Sequence, residues 1–270
     1  MQPRTAFAGG DQRYLREVQY ADGAKLDARG HLHRTYATSP VPLALFEAAL
    51  VDWPDGASVL ECGCGTGRFW ENDALPRTLA PTLTDLSPGM VAEAIDRARA
   101  AGFCVEGRAC DVQSLPFADD AFDVVVANHM LYHVPDPDLA VAELARVLRS
   151  DGVALAATNG HGHMGELNDA IADVFDRPAE GGVYEVFGID TGEARLRARF
   201  ASVVWHAFDN DLVVDEPAAV LAYALSFPPG ETATPEQRTA LAAAVDRRFV
   251  DGRMRIRTRS GVFVCRHPRR

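Results

Sequence analysis

Short apolar runs alternate with helical segments through the middle of the chain, from Ala57 onward. Each run is only a few residues long and apolar almost throughout, which is typical of parallel strands buried on both faces. The pattern therefore predicts strands over residues 58–60, 81–84, 103–106, 122–127 and 152–157.

The segments between these runs have the spacing of helices. Residues 67–75, 89–101 and 137–148 are the predicted helices. In the last of them Leu139, Val141, Leu144 and Val147 recur at spacings of two and three, and the Asp151-Gly152 pair stops the pattern. Right-handed crossovers would join these units into a doubly wound α/β sheet, with a ligand crevice at the carboxyl ends of the strands.

The flanking regions lack this alternation of strands and helices, and their patterns predict the elements that surround the sheet. Residues 1–55 are polar and helical, as expected of a cover over the crevice. Residues 160–200 open with a Gly-His repeat and predict an inserted lid. Residues 201–270 return to strands at 202–208 and 261–265, with helices near 217–225 and 235–250, and would complete the sheet. We therefore expect a single domain, 1–270, with its core at 57–158.

Composition narrows the classes of partner. The formal net charge is -11 and 47% of the residues are hydrophobic, so a sizeable core is expected and an extended nucleic-acid partner is not. No run reaches the roughly 18 apolar residues of a membrane helix, and residues 1–10 lack the apolar stretch of a signal peptide. These features predict a cytoplasmic protein that acts on a small molecule. The five cysteines form no C-x-x-C pair and are expected to be reduced thiols, with no metal site.

The strongest chemical signal follows the first predicted strand. Glu61 ends that strand and is followed by three alternating glycines, Gly63, Gly65 and Gly67. Glycines at a strand end let the backbone approach a bulky ligand. A dinucleotide fingerprint would need a further glycine at position 68, where this chain has Arg68, so the nicotinamide and flavin interpretations are disfavoured.

Two more acids follow later strands at the same predicted edge. Asp85 follows the second strand and Asp111 the third. A carboxylate offers two oxygens to two donors, although an aspartate in this place can also cap the next helix.

Three segments raise these observations to a family resemblance: the stretch from Thr82 to Met90, the D-x-x-x-L-P-F-like stretch 110–117, and the turn 145–152. Together with the glycine turn they resemble class I S-adenosylmethionine (SAM)-dependent methyltransferases of the ubiquinone and menaquinone biosynthesis type over residues 57–158. In the turn, Ser150 and Asp151 replace the usual Pro and Gly, a surface departure that changes little. The resemblance implies a seven-stranded, mainly parallel, Rossmann-like sheet, with SAM as cofactor and S-adenosylhomocysteine as product.

The resemblance also assigns residues. Asp85 would hold the ribose, Asp111 and Val112 the adenine, and the glycines the methionyl part, with Glu61 orienting their loop. The remaining predicted cofactor residues are Cys64, Leu86, Met90 and Asn128.

Histidines after the fourth and fifth strands are the candidate catalytic and acceptor groups. His133 and His129 lie four residues apart, so one helical turn would place them on one face, and a histidine is suited to act as a base near neutral pH. A packing role for His133 is an equal alternative, and the pair lacks the intervening acid of an H-E-x-x-H zinc site. The predicted acceptor-side residues are Tyr36, Tyr132, His161 and His163.

Other functions keep the same motifs. SAM can also donate its aminocarboxypropyl group or cyclise, releasing methylthioadenosine, and a non-catalytic SAM-binding module would conserve the binding residues alone. The acceptor atom and the oligomeric state stay open, because the pocket and not the scaffold determines function.

Overall fold

The computed structural model describes residues 6–175 and 182–269. The strands are β1 (Ser58–Cys62), β2 (Ala80–Asp85), β3 (Glu106–Ala109), β4 (Phe122–Asn128), β5 (Leu148–Asn159), β6 (Phe200–Phe208), β7 (Asp211–Val214), β8 (Met254–Arg257) and β9 (Ser260–Pro268). The α-helices are α1 (Gln12–Tyr14), α2 (Ala24–Tyr36), α3 (Leu43–Ala48), α4 (Pro88–Ala100), α5 (Pro137–Val147), α6 (Gly165–Phe175), α7 (Val183–Phe187), α8 (Ile189–Arg199), α9 (Pro217–Ala224) and α10 (Pro235–Asp246).

Shorter helical turns complete the secondary structure. Ala6–Gly10 and Leu15–Gln19 are π-helical, and Arg68–Glu71, Leu131–His133 and Gly230–Thr232 are 3₁₀ turns. No helix in the described ranges is both long enough and apolar enough to cross a lipid bilayer.

The main sheet has seven strands in the order β3-β2-β1-β4-β5-β9-β6. The first five pair in parallel, whereas β9 pairs antiparallel with both β5 and β6. This confirms the predicted doubly wound, mainly parallel α/β fold. The chain order reverses between β1 and β4, which is where such sheets open a crevice at the carboxyl ends of their strands.

The core lies in two layers, one on each face of the sheet. Neighbouring residues of one strand serve opposite layers, since Leu60 packs in one apolar cluster and Val59 in the other. Val125 and Val124 divide in the same way on β4. The continuous apolar runs in the sequence reflect this burial on both faces.

Three predicted elements differ from the structure. The strand expected at 152–157 already begins at Leu148, so the predicted turn 145–152 is the end of α5 and the start of β5. The strand expected at 103–106 begins only at Glu106, because Phe103 and Val105 are buried in the apolar layer and approach the sheet before strand pairing starts. The helix expected at 67–75 is only the 3₁₀ turn Arg68–Glu71, which ends where Asn72 becomes extended.

A third packing unit covers the crevice. Helices α2, α6, α9 and α10 pack around a small antiparallel sheet of β7 and β8, with Leu32, Leu212, Leu241 and Ile256 fully buried between them. The sequence patterns did not predict β7 or β8. Within the lid stretch 160–200, α6 joins this unit, whereas Leu196 of α8 packs in the core of the main sheet.

Candidate cofactor and acceptor site

A continuous cavity of about 1010 Å³ lies between the carboxyl ends of the main strands and the covering unit. Single-ligand pockets usually measure roughly 300–1,000 Å³, so this volume is at the upper end of the range and has room for two small molecules. The predicted cofactor residues that line it are Glu61, Gly63, Cys64, Gly65, Asp85, Leu86, Asp111, Val112 and Asn128.

The glycine turn after β1 is fastened to the end of β2. The Cys64 amide donates to the Thr84 carbonyl at 2.9 Å, and the Gly65 amide donates to Oδ2 of Asp85 at 3.0 Å. Gly63 and Gly65 have φ of 66° and 51°, where a residue with a side chain is strained. A Cβ on Gly63 would lie 2.6 Å from the Cβ of Met130. The turn thus requires glycine for its backbone and for close packing.

Asp85 accepts through both carboxylate oxygens. Oδ2 takes the Gly65 amide, and Oδ1 takes the Ser87 amide at 2.9 Å. Burial raises the pKa of the carboxyl group, and the backbone amides partly oppose that shift. Each oxygen keeps a further lone pair, as the expected bond to a ribose hydroxyl requires.

Asp111 already has protein partners. Gln12 of α1 donates from Nε2 to Oδ2 of Asp111 at 2.8 Å, and the Gln113 amide donates to Oδ1 at 2.9 Å. The N-terminal segment therefore reaches the place where the resemblance puts adenine.

The side chains of Glu61, Glu47 and Asn128 form a cluster of hydrogen-bond acceptors beside the glycine turn. Burial raises the pKa of Glu61 to about 8, while the indole N–H of Trp70 donates to it at 2.6 Å. Burial and the charge of Glu61 raise the pKa of Glu47 to about 8 as well. Asn128 donates to Glu47 at 2.9 Å, and its Oδ1 is buried without a hydrogen-bond partner among the described residues.

This cluster tests whether SAM fits the site. Buried acids and an orphaned carbonyl oxygen are costly alone, and an ammonium group would satisfy them. SAM carries an ammonium group on its methionyl arm, and Glu61 and Asn128 lie beside the turn expected to bind that arm. The residues present therefore fit SAM. Glu47 was not anticipated, although it is the single acid in the apolar stretch of α3.

Two predicted cofactor residues lie away from the cavity. A Cβ on Gly67 would come within 2.6 Å of the Ala94 Cα, so Gly67 allows α4 to approach the turn. Met90 is fully buried in the first turn of α4. Both residues therefore contribute to the packing of α4 and not to the wall of the cavity.

His133 lines the cavity, but both its ring nitrogens have partners. Nδ1 lies 2.6 Å from the Phe7 carbonyl oxygen, which can only accept, so Nδ1 carries the hydrogen. Nε2 then accepts from the Tyr20 hydroxyl at 2.8 Å. Burial lowers the pKa of His133 to about 3, so the ring is neutral at physiological pH and holds Tyr20 in place.

His129 has a different backbone from the one predicted. Its φ is 53°, and the 3₁₀ turn Leu131–His133 begins after it, so the helical turn expected to join the two histidines does not form. Its amide donates to the Ala157 carbonyl at 3.0 Å, which fixes the loop to β5. His129 still lines the cavity, and burial lowers its pKa to about 4.

The predicted acceptor residues divide into two pairs. Tyr132 and His163 line the cavity. Tyr36 instead points to the surface, where its hydroxyl donates to Glu216 at 3.0 Å, and His161 is exposed. His163 accepts from the Arg259 amide at 3.1 Å, and its ring stacks on that of His33 with centroids 6.1 Å apart.

Several lining residues had no signal in the sequence. Tyr20 and Arg29 come from the N-terminal cover, and Tyr223 comes from α9. Their places depend on tertiary packing and not on a local motif. Among the residues that the structure describes, no group of three or more His, Cys, Asp or Glu is arranged to hold a metal ion.

Comparison with known proteins shows the family of the chain. Residues 60–156 match a family described as "Methyltransferase domain". A malonyl-[acyl-carrier protein] O-methyltransferase of Geobacter sulfurreducens is 30% identical over 215 residues, 77% of this chain and 76% of that protein. Methyltransferase GfsG of Streptomyces halstedii is 34% identical over 134 residues, 46% of each chain. The chain spans about half the length of most curated relatives it matches.

Solved structures share the fold. Phosphoethanolamine N-methyltransferase 2 of Haemonchus contortus, in complex with SAM, superposes with a TM-score of 0.58 at 18% identity, over 96% of this chain and 60% of that one. The [4+2]-cyclase SpnF superposes with a TM-score of 0.53 at 24% identity, over 84% and 80%. With the predicted motifs gathered around one cavity and the Geobacter relative aligned over most of its length, the chain belongs to the class I SAM-dependent methyltransferase family.

Proposed function

We propose that this chain transfers the methyl group of SAM to a small-molecule acceptor. The observation that carries the proposal is the convergence of the glycine turn, Asp85 and Asp111 on a cavity with room for two ligands. SAM supplies an electrophilic methyl group on a sulfonium. The chain's own part is to hold the acceptor in line with that carbon and to exclude water, and such positioning can supply most of the rate enhancement.

Each cofactor residue has a proposed task. Asp85 accepts from the ribose hydroxyls, Asp111 from the adenine amino group, and Val112 offers its backbone N–H. Glu61, Glu47 and the Oδ1 of Asn128 receive the methionyl ammonium group. For Asp111 to receive adenine, the bond from Gln12 has to loosen or be shared.

The acceptor side is proposed to use neutral groups. His133 accepts a hydrogen bond from the Tyr20 hydroxyl, so a lone pair of the Tyr20 oxygen remains to receive a hydrogen bond in the cavity. Burial raises the pKa of Tyr20, so the hydroxyl keeps its proton and orients the acceptor. His129 lines the same space as a neutral ring and is the candidate for accepting a proton from the acceptor.

The names of the relatives bear on the acceptor only broadly. They include enzymes named for malonyl-[acyl-carrier protein], phosphatidylethanolamine and ubiquinone biosynthesis. These names favour a metabolite, free or carried, in a bacterial biosynthetic reaction in the cytoplasm. The fold by itself does not select the reaction, since one fold hosts many chemistries.

Replacement of Asp85 tests the cofactor site. We expect Asp85→Asn to weaken SAM binding roughly 10- to 100-fold in calorimetric titration, because hydrogen bonds to a charged acceptor are lost. Asp151→Asn, at an exposed aspartate of β5, is the matched control and should bind SAM as the unaltered chain does. Equal affinity in both variants would remove the ribose assignment.

Product analysis tests the reaction. Incubation with SAM and a metabolite panel should release S-adenosylhomocysteine and add a methyl mass to the acceptor. Methylthioadenosine would show aminocarboxypropyl transfer or cyclisation instead. Tight SAM binding with no turnover across the panel would favour a non-catalytic binding module.

A further inference from the structure

Arg29 is half-buried in the cavity wall, with the two terminal nitrogens of its guanidinium group buried. It lies on α2, and these nitrogens are Nη1 and Nη2. Neither nitrogen donates to any group in residues 6–175 or 182–269. A buried guanidinium that lacks acceptors is costly, so a native structure that keeps one usually supplies an anion from elsewhere.

The surroundings of Arg29 are aromatic. Its guanidinium carbon lies 5.4 Å from the centre of the Tyr20 ring, a cation–π contact, and Arg29 acts to lower the pKa of the Tyr20 hydroxyl. Its charge also acts on the pKa values of Tyr132, His133 and Tyr223. All of these side chains line the cavity.

The carboxylates of Glu231, Asp85 and Glu61 already have hydrogen-bond partners other than Arg29. Glu231, whose charge raises the pKa of Tyr20 whereas that of Arg29 lowers it, bonds Lys25 Nζ at 2.6 Å. The cofactor-side acids Glu61 and Asp85 owe their pKa shifts to burial, to hydrogen bonds and to neighbouring carboxylates. Because its charge acts on Tyr132, His133 and Tyr223, Arg29 faces the part of the cavity lined by the cover, α9 and the turn at Leu131–His133.

We propose that Arg29 is the subsite for a carboxylate carried by the acceptor. The inference rests on the proposed function, because it assumes that SAM fills the glycine-turn end of the cavity. Two free Nη atoms can donate side by side to the two oxygens of one carboxylate. The surrounding rings then offer an apolar wall to the rest of the acceptor.

Binding to the SAH-saturated protein tests this subsite. Two matched pairs of probes serve: 4-hydroxybenzoate with 4-hydroxybenzamide, and octanoate with octanamide. We expect at least one acid to bind about 10- to 100-fold more tightly than its amide. In Arg29→Met the preference should fall to near one, and Arg29→Lys should keep part of it as a point charge. Arg13→Met, at a side chain that is 82% exposed, is the matched control and should keep the preference for the acid.

The stability of the variant provides a second readout. Arg29→Met removes an unpaired buried charge and keeps a similar volume, so its melting temperature without ligands should equal or exceed that of the unaltered chain. Carboxylate binding should raise the melting temperature of the unaltered chain and leave that of Arg29→Met unchanged.

Three results separate the possible failures. If neither acid is preferred over its amide, or if Arg29→Met keeps the preference, the acceptor subsite is overturned. If Arg29→Met weakens SAM but not decarboxylated SAM, Arg29 serves the cofactor's carboxylate and the proposal is again overturned. If the unaltered chain binds neither SAM nor SAH, the proposed function itself fails.

Discussion

At the residue scale, the site depends on side chains kept in unusual protonation states. Glu47 and Glu61 are buried acids whose pKa values rise to about 8, and His133 is a half-buried residue whose pKa falls to about 3. Desolvation is the main cause in all three. The site is therefore nearly uncharged where the cofactor's ammonium group is expected, until that group arrives.

Replacement of Glu47 tests this protonation state. The folded protein binds a proton at Glu47 between about pH 4.5 and 8, whereas the unfolded chain does not, so its contribution is complete below pH 4.5 and is lost as pH rises toward 8. Relative to the unaltered chain, Glu47→Gln should gain free energy of unfolding across that interval, on the order of a few kcal/mol. Urea unfolding at several pH values measures the gain. Glu106→Gln, at an exposed residue on β3, should show a curve parallel to that of the unaltered chain.

The sequence predicted the residues that belong to local motifs. Glu61, Gly63, Gly65, Asp85, Asp111 and Asn128 all line the cavity, since each follows a strand end that topology places at one edge. Gly67 and Met90 lie beside it because a motif does not distinguish a ligand contact from a packing contact. Arg29, Tyr20 and Glu47 are brought in by helices whose docking no local pattern specifies.

At the element scale, the glycine turn joins two functions. Gly63 and Gly65 face the cavity, whereas Gly67, two residues later, lets α4 pack closely. The helix expected at 67–75 shortens to one turn there, so the chain returns quickly to the sheet edge. Apolar spacing alone could not show this, since a short turn and a helix bury the same Phe69 and Trp70.

Alanine substitutions at two glycines separate backbone strain from crowding. Gly67 and Gly56 have φ of 76° and 70°, but a Cβ on Gly67 would meet Ala94 at 2.6 Å, while a Cβ on Gly56 would meet nothing within 4 Å. We expect Gly56→Ala to lower the free energy of unfolding by about 1–2 kcal/mol, the cost of the left-handed conformation. Gly67→Ala should lose a further 1–3 kcal/mol, roughly, from overpacking. Equal losses in chemical denaturation would show that α4 can move away at no cost.

At the scale of the whole molecule, a separate apolar unit of α2, α6, α9, α10, β7 and β8 lies over the main sheet. The periodicity of the sequence predicted the main sheet, because its strands are continuous apolar runs. It did not predict β7 and β8. Each of these strands has only four residues, which alternate between buried and half-buried or exposed positions, so neither strand forms an apolar run. Their pairing joins residues 211–214 to 254–257, a long-range contact that only the folded chain reveals.

The interface between the two units gives the protein an acid-sensitive core. Burial lowers the pKa of His33 and His129 to about 4, and that of His163 falls well below its usual value. The unfolded chain protonates these rings near pH 6.5, so their contribution is complete above that pH and is lost as pH falls toward 4. The free energy of unfolding should therefore decline on acidification through this interval. In His33→Phe the decline should be shallower, and an unchanged slope would contradict the assignment.

The bond between Gln12 and Asp111 has a consequence for the timing of turnover. Gln12, Tyr20 and Arg29 lie within one stretch of eighteen residues and touch, in turn, the nucleoside end, the ring of His133 and the proposed carboxylate subsite. Any movement of this stretch that admits a nucleoside would also displace the residues that form the proposed subsite for the acceptor. Spent cofactor and finished product would then depart through a common opening, and their departure rates should rise or fall together.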